Sequence, residues 1–307
     1  MTRQDGLIEA FLEMMSAERG AGANTLAAYG RDLADFAGFT KGGVASASRE
    51  DIRAYLAHLS KAGLAASSQA RRLSALRQFF GFLYGEATRK DNPTEAVEAP
   101  KLSRPLPKIL STDDMEAMIA VAAKEGDAGA KRLTCIVEML YAAGLRVSEL
   151  AGLPLQAVKT RDNFILVRGK GNKERLAPLN SSARTAIEAY LDVRAEFLPK
   201  GPRRAHAERF LFCSRAAEGY LSRQRFHQLL KGLALKAGLN PAKVSPHVLR
   251  HAFATHLVEG GADLRSVQTL LGHADIATTE IYTHVAKDHL KKVMNKAHPL
   301  SKERKPR

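Results

Sequence analysis

The stretch Val244-Ser-Pro-His-Val-Leu-Arg-His-Ala-Phe-Ala-Thr-His-Leu257 sets three histidines and an arginine on one expected helix. Pro246 suits the first helical turn, where its missing N–H is not needed. His247 then stands at the helix N-terminus, and Arg250, three residues on, shares its face. Helix N-termini favour anions. A guanidinium and an imidazole added there make a phosphate site, although this pair alone fits an ordinary surface helix equally well. Four further residues have types suited to phosphate chemistry. Arg146 follows a helix end in Ala143-Gly-Leu-Arg-Val-Ser-Glu-Leu150, with Glu149 one turn later as an ion-pair partner. Lys170 sits at the tip of an expected hairpin, Arg168-Gly-Lys-Gly-Asn-Lys173. His273 follows a helix in Leu270-Leu-Gly-His-Ala274, and Tyr282 lies in Ile281-Tyr-Thr-His284. Taken singly, each has an ordinary reading: a hairpin-tip lysine is solvated, and a tyrosine among apolar neighbours packs.

Two other chemistries are not expected. His247 and His251 have metal-pair spacing, but Val-Leu-Arg lies between them, with no Glu to act as base and no third ligand nearby. Gly-Lys-Gly-Asn lacks the ending of a nucleotide-binding P-loop. His251, His256 and His284 are therefore expected to pack or to orient their neighbours.

The elements that must carry these residues follow from periodicity. Residues 1–90 read as helices only. Leu7, Ile8, Phe11, Leu12 and Met15 recur at helical spacing. Asn24 is the expected cap of a second helix carrying Tyr29, Leu33 and Phe36. Ser48-Arg-Glu-Asp51 has the form of a capping box. A long helix after Ser67 and Ser68 carries Leu73, Leu76, Phe79, Phe80 and Leu83, with Arg71, Arg72 and Arg77 on its other faces. Four such helices make a small bundle with a basic side. Residues 91–110 hold four prolines and little periodicity, and read as an extended linker. Its Lys101, Arg104 and Lys108 suit either a strap along a DNA backbone or a merely solvated connection. From 111 to 284 a mainly helical second domain is expected. Ser111 caps its first helix, and a hairpin pairs Phe164-Ile-Leu-Val-Arg168 with Glu174-Arg-Leu-Ala-Pro178. A short strand is expected at Phe210-Leu-Phe-Cys213 and a helix from Asp275 to about Tyr282. Residues 285–307 form a basic tail, with eight Lys or Arg against Asp288 and Glu303.

Composition narrows the class of partner. The chain has 307 residues, with 47 Lys and Arg against 32 Asp and Glu, a formal charge of +15. Such an excess favours polyanions. Cys135 and Cys213 are the only cysteines, far apart, which argues against a disulfide framework or a thiolate zinc site. No run approaches the ~18 apolar residues that a membrane helix needs. A cytoplasmic, soluble protein without a membrane partner is the expectation.

In this order the six residues resemble one family closely. The sequence is similar to the tyrosine recombinases (phage integrase family), whose pattern is Arg, a hairpin Lys, His-x-x-Arg, a further His or Trp, then Tyr. Here those positions are Arg146, Lys170, His247, Arg250, His273 and Tyr282. His-Val-Leu-Arg-His-Ala-Phe-Ala-Thr-His-Leu and Gly-Lys-Gly-Asn-Lys-Glu-Arg resemble the Xer branch most. The resemblance implies two domains, an all-α core-binding bundle and a mainly α catalytic domain with a small antiparallel hairpin. It implies DNA cleavage through a 3′-phosphotyrosyl bond, with Tyr282 as nucleophile, Arg146 and Arg250 on the phosphate oxygens, and Lys170 as acid. Neither metal, ATP nor cofactor is implied. It further implies resolution of chromosome dimers at a dif-type site in double-stranded DNA. The implied assembly pairs two copies of this chain with two of a paralogous XerC-type recombinase, and a septal DNA translocase (FtsK-type) activates it. The tail after Tyr282 would dock on a neighbouring protomer. An integrase of a phage or mobile element, or a type IB topoisomerase, would share this chemistry. A non-catalytic helical DNA-binding regulator would share the charge and helices but not the six residues.

Overall fold

A computed structural model of the chain describes residues 3–40, 42–101, 109–159, 163–169, 174–272 and 284–301. The chain divides into two compact units, Met1–Leu106 and Pro107–Arg307. The helices of the first are α1 (Arg3–Ala17), α2 (Ala23–Phe39), α3 (Arg49–Lys61) and α4 (Ala66–Gly85). The apolar positions read from the sequence meet in its core: Phe11, Leu33, Phe36, Ile52, Tyr55, Leu73, Leu76, Phe79, Phe80 and Leu83 are all buried. Aromatic rings interlock edge to face, Phe11 with Phe79 at 5.5 Å and Phe36 with Tyr55 at 5.0 Å between centroids.

Local signals set some boundaries and not others. Ser48 accepts from the Asp51 backbone while Asp51 accepts from that of Ser48, so α3 begins on the expected capping box. The expected cap at Asn24 is not used. Gly22 holds the extended cap position, and Asn24 falls inside the first turn. Ser67 and Ser68 likewise lie within α4, which starts after Ala65. The basic side expected of α4 is partly internal. Arg71 pairs with buried Asp32, Arg72 pairs with Asp35 and donates to the Tyr55 hydroxyl, and Tyr55 donates to Asp35 at 2.6 Å. Arg77 donates to the Val97 carbonyl at 2.6 Å, and both Val97 and Thr94 are buried. The start of the proline-rich stretch, expected to be an extended linker, therefore packs on this unit, because Val97 supplies an apolar side chain to its core.

The second unit contains α5 (Thr112–Ala123), α6 (Ala128–Ala142), α7 (Val147–Ala151), β1 (Phe164–Arg168), β2 (Glu174–Pro178), α8 (Ser181–Val193), α9 (Arg204–Ala207), α10 (Arg223–Lys236), α11 (Pro246–Glu259), α12 (Leu264–Leu271) and α13 (His284–Ala297). α6 is central. Residues 135–143 are all buried, and it packs on α5, α8 and α11. β1 and β2 pair antiparallel, Phe164 opposite Pro178 and Arg168 opposite Glu174, as the hairpin pattern requires. The strand expected at Phe210–Cys213 is absent. The segment makes single bridges, Pro154 to Phe210 and Cys213 to Tyr220, and the buried Leu211 and Phe212 make one backbone hydrogen bond each, to Leu153 and from Leu221, too few for a ladder. The helix expected from Asp275 to Tyr282 lies outside the described residues.

α13 packs on α11, α12 and β2 of its own unit, burying Leu290, Met294 and Ala297, with Leu300 just beyond. A Cβ at Gly260 would overlap the Ala297 carbonyl, so the end of α13 lies flush on the end of α11. The apolar side chains of α13 are thus covered within its own unit. His298 follows α13 and is buried against the Tyr141 and Phe253 rings, where its Nδ1 accepts from the Leu300 amide at 3.2 Å. Burial, and then the nearby His256, lower its pKa from 6.5 to about 4 against an opposing hydrogen bond with the Tyr141 carbonyl.

Two expectations follow. Phe253 is fully buried and lies so close to Gly144 that a Cβ there would meet the ring. Phe253→Ala should cost about 3–5 kcal/mol in urea unfolding of the C-terminal unit. His298 is neutral when folded and gains a proton more readily when unfolded. Stability is therefore complete above pH 6.5 and falls as pH drops from 6.5 toward 4. The slope should approach about 1.4 kcal/mol per pH unit, and His298→Asn should flatten it in a pH series of urea midpoints.

Candidate active site

Two tight glycine turns deliver the arginines. α6 ends at Ala142, and Gly144 turns the chain at φ 54°, where a side chain would be strained and would strike Phe253. The chain then enters α7 with Arg146 at its cap and Glu149 three residues on. Arg146 donates to Glu149 twice at 2.8 Å, through its backbone N–H to Oε2 and through Nη1 to Oε1. The ion pair expected between these residues is thus present, and it leaves the Arg146 side chain 34% exposed. α12 ends at Gly272, whose left-handed φ of 64° turns its last carbonyls toward the same place.

α11 supplies the second arginine. Ser245 accepts from the Val248 amide, Pro246 occupies the first turn as expected, and His247 is exposed beside it. One turn on, Arg250 donates to the Gly144 carbonyl through Nη1 and to the Leu271 carbonyl through Nη2. Arg146 reaches the adjacent Gly272 carbonyl at 3.4 Å. Arg146 and Arg250, far apart in sequence, are therefore brought together across the Gly144 and Gly272 turns. Lys170, His273 and Tyr282 lie outside the described residues.

A third arginine was not singled out from the sequence. Arg175 on β2 donates to Glu149 Oε2 at 2.7 Å, and Arg250 stands 3.9 Å from the same oxygen. Nothing in Glu-Arg-Leu-Ala-Pro marks Arg175 as inward-facing, since a strand arginine is ordinarily solvated. His227 on α10 was missed too. Burial and then the charges of His247 and Lys231 lower its pKa, which locates it near His247. Of the remaining histidines, His256 is buried with its Nδ1 2.8 Å from the Tyr141 hydroxyl, a packing role, while His251 is exposed. Among the described residues no group of three or more His, Cys, Asp or Glu is arranged to hold a metal ion.

The electrostatics of the cluster favour an anion. Burial works against ionisation of Glu149, but the hydrogen bond and charge of Arg175, then the backbone and side-chain hydrogen bonds of Arg146, hold its carboxyl below the usual range. One carboxylate thus serves three guanidinium groups. Burial, then Arg175 and then Arg146, push the Arg250 pKa down to about 9 against the pull of Glu149. The cations repel one another, and an arriving phosphate would relieve the repulsion. Two guanidinium groups supplied by different elements can each donate in parallel to non-bridging phosphate oxygens.

The chain is similar in sequence and fold to known proteins. The model of the phage integrase family matches residues 108–289, and that of the phage integrase N-terminal SAM-like domain matches residues 8–87. The tyrosine recombinase XerD of Caulobacter vibrioides is 52% identical over 307 residues, covering 99% of this chain and 100% of its own. That of Rhizobium meliloti is 50% identical, covering 97% and 96%. In fold, the chain is similar to the XerH site-specific recombinase bound to a palindromic difH substrate, with a TM-score of 0.66 at 20% identity over 96% and 85% of the two chains. The Tn1549 transposon integrase in complex with transposon right-end DNA gives 0.67 at 20% identity over 94% and 98%. The chain belongs to the phage integrase family of tyrosine recombinases, enzymes that break and rejoin DNA strands.

Proposed function

We propose that this chain is the XerD-type partner of a chromosome-dimer resolution system, acting on a dif-type site. The observation that carries the chemistry is the convergence of Arg146 and Arg250 on the Gly144 and Leu271–Gly272 carbonyls around Glu149. Near-full-length identity to XerD proteins supports the biological role. In this reading Arg146 and Arg250 hold the two non-bridging oxygens of the scissile phosphate and neutralise the charge of the pentavalent transition state. The Tyr282 phenol oxygen attacks phosphorus. Its pKa of ~10 in isolation makes nearby cations and a base necessary, and His247 takes the proton. The 5′ oxygen leaves with a proton from Lys170, and His273 donates a further hydrogen bond to the phosphate. The products are a 3′-phosphotyrosyl bond and a free 5′ hydroxyl. A 5′ hydroxyl from a second strand then reverses the step, reforming a phosphodiester and returning the proton to Tyr282, without metal or ATP.

The domain roles follow: 1–90 binds the core site, 91–110 links, 111–284 carries the chemistry and 285–307 contacts protomers. The partners are double-stranded DNA, a XerC-type recombinase and an FtsK-type septal translocase, in the cytoplasm. No described helix is long and apolar enough to cross a membrane.

A nicked suicide duplex carrying a dif-type site, with a XerC-type partner, tests the reading. A denaturation-resistant adduct mapping to Tyr282, formed in EDTA and lost in Tyr282→Phe, is expected. DNA binding with no adduct under activating conditions would leave only a DNA-binding protein. Affinity should also fall steeply with salt, as released counterions require, by about 10³-fold or more from 50 to 200 mM if six or more phosphates are contacted. A flat titration would contradict an extended DNA contact.

A further inference from the structure

Arg175 is a buried arginine that the reaction just described does not use. Its side chain is 6% exposed. Four of its five N–H donors are engaged inside the protein. Nη2 gives to Glu149 Oε2 at 2.7 Å and to the Gly144 carbonyl at 3.3 Å, Nε faces Glu149 Oε1 at 3.4 Å, and Nη1 gives to the Leu270 carbonyl at 2.6 Å. Held in this way and only 6% exposed, the guanidinium is directed at the protein and not at a substrate.

Its neighbours form a pattern. The last two carbonyls of α12, Leu270 and Leu271, and that of its C-cap Gly272 accept in turn from Arg175, Arg250 and Arg146. Helix C-termini carry unsatisfied carbonyls and partial negative charge, so three cations there are favoured. The Gly144 carbonyl is shared by Arg175 and Arg250, and Glu149 by Arg175 and Arg146. Arg175 is therefore bonded to a partner of each of the other two arginines. Steric packing agrees: a Cβ at Gly272 would overlap the Arg175 side chain, so the α12 turn seats directly on it.

We infer that Arg175 is a positioning residue: from β2 it fixes the Glu149 carboxylate and the Gly144 and Leu270 carbonyls, and so sets where Arg146 and Arg250 present their guanidinium groups to the phosphate. The inference rests on the arginine-clamp reading above. A lysine cannot substitute, because one ammonium cannot span Glu149, Gly144 and Leu270 with the geometry of a planar fork. Displacement of a positioned charge by an ångström is enough to cost a large factor in rate.

The test uses the full chain and its partner in single-turnover cleavage of two suicide duplexes. One carries the natural phosphodiester; the other carries a methylphosphonate at the scissile position, which lacks the negative non-bridging oxygen that a clamp must neutralise. Arg175→Lys, Arg175→Met and Arg146→Ala are compared. DNA affinity by gel shift reports folding, and Arg175→Lys, which keeps size and charge, decides the matter if Arg175→Met fails to bind. Arg175→Lys should bind DNA as wild type does, yet cleave the phosphodiester about 10- to 100-fold more slowly. On methylphosphonate its rate should return to near that of wild type. An equal loss on both substrates, loss of DNA binding in Arg175→Lys, or no loss at all overturns the inference. If Arg146→Ala is relieved by methylphosphonate and the Arg175 variants are not, only the positioning role falls. If Arg146→Ala is not relieved either, the clamp reading falls and the inference falls with it.

Discussion

Glu149 is a carboxylate with no solvent exposure, surrounded by Arg146, Arg175 and Arg250. Much of the second unit's local geometry answers to it. Three guanidinium groups could not be gathered in a semi-buried space without a counter-charge, since like charges close together are costly at low local dielectric. One carboxylate stabilises the cluster but does not neutralise it. The backbone supplies the rest of the hydrogen bonding: carbonyls at the end of α12 and at Gly144 orient the guanidinium groups through dipoles and leave their charge available. A site arranged this way is positive and pre-oriented before substrate arrives, which is the arrangement that favours a transition state gathering negative charge.

The scaffold beneath makes that cluster rigid. α6 runs through the core and ends just before Gly144, and Phe253 of α11 fills the space against that turn. The face of α11 toward the core is Leu249, Ala252, Phe253, His256 and Leu257, while Arg250 points to the cluster. α13 and His298 cover the same helix from another side, through Tyr141 and Phe253. Packing at interior density leaves little room for these elements to shift separately. The first unit is self-contained, with its own aromatic core and its own buried carboxylate, Asp32, paired to Arg71.

Much of this was legible in the sequence. The apolar periodicity of α4, the capping box at Ser48, the cap at Ser111, the β1–β2 hairpin and the helix end before Arg146 all depend on residues within a few positions of one another. Local physical chemistry decides such features, so a single sequence displays them. The starts of α2 and α4 were misjudged because Asn24 and Ser67 are good caps in principle, yet the preceding turns positioned other residues at the boundary. The expected strand at Phe210–Cys213 failed for a different reason. An apolar run reads alike whether it enters a ladder or only a core, and pairing partners lie elsewhere in the chain.

The site divides the same way. The resemblance to the recombinase family marked Arg146, His247 and Arg250 as candidates, and the helix-start chemistry of Ser245 and Pro246 could be read directly. Arg175 could not. Its importance comes from facing Glu149, 26 residues away, and Leu270, 95 residues away, and nothing local distinguishes an inward strand arginine from a solvated one. The sequence by itself determined which groups are chemically able to hold a phosphate and which local turns present them. Only the tertiary structure decided that one carboxylate and one helix end would be shared among three arginines. Such sharing is a property of distances between elements, which local propensity does not encode.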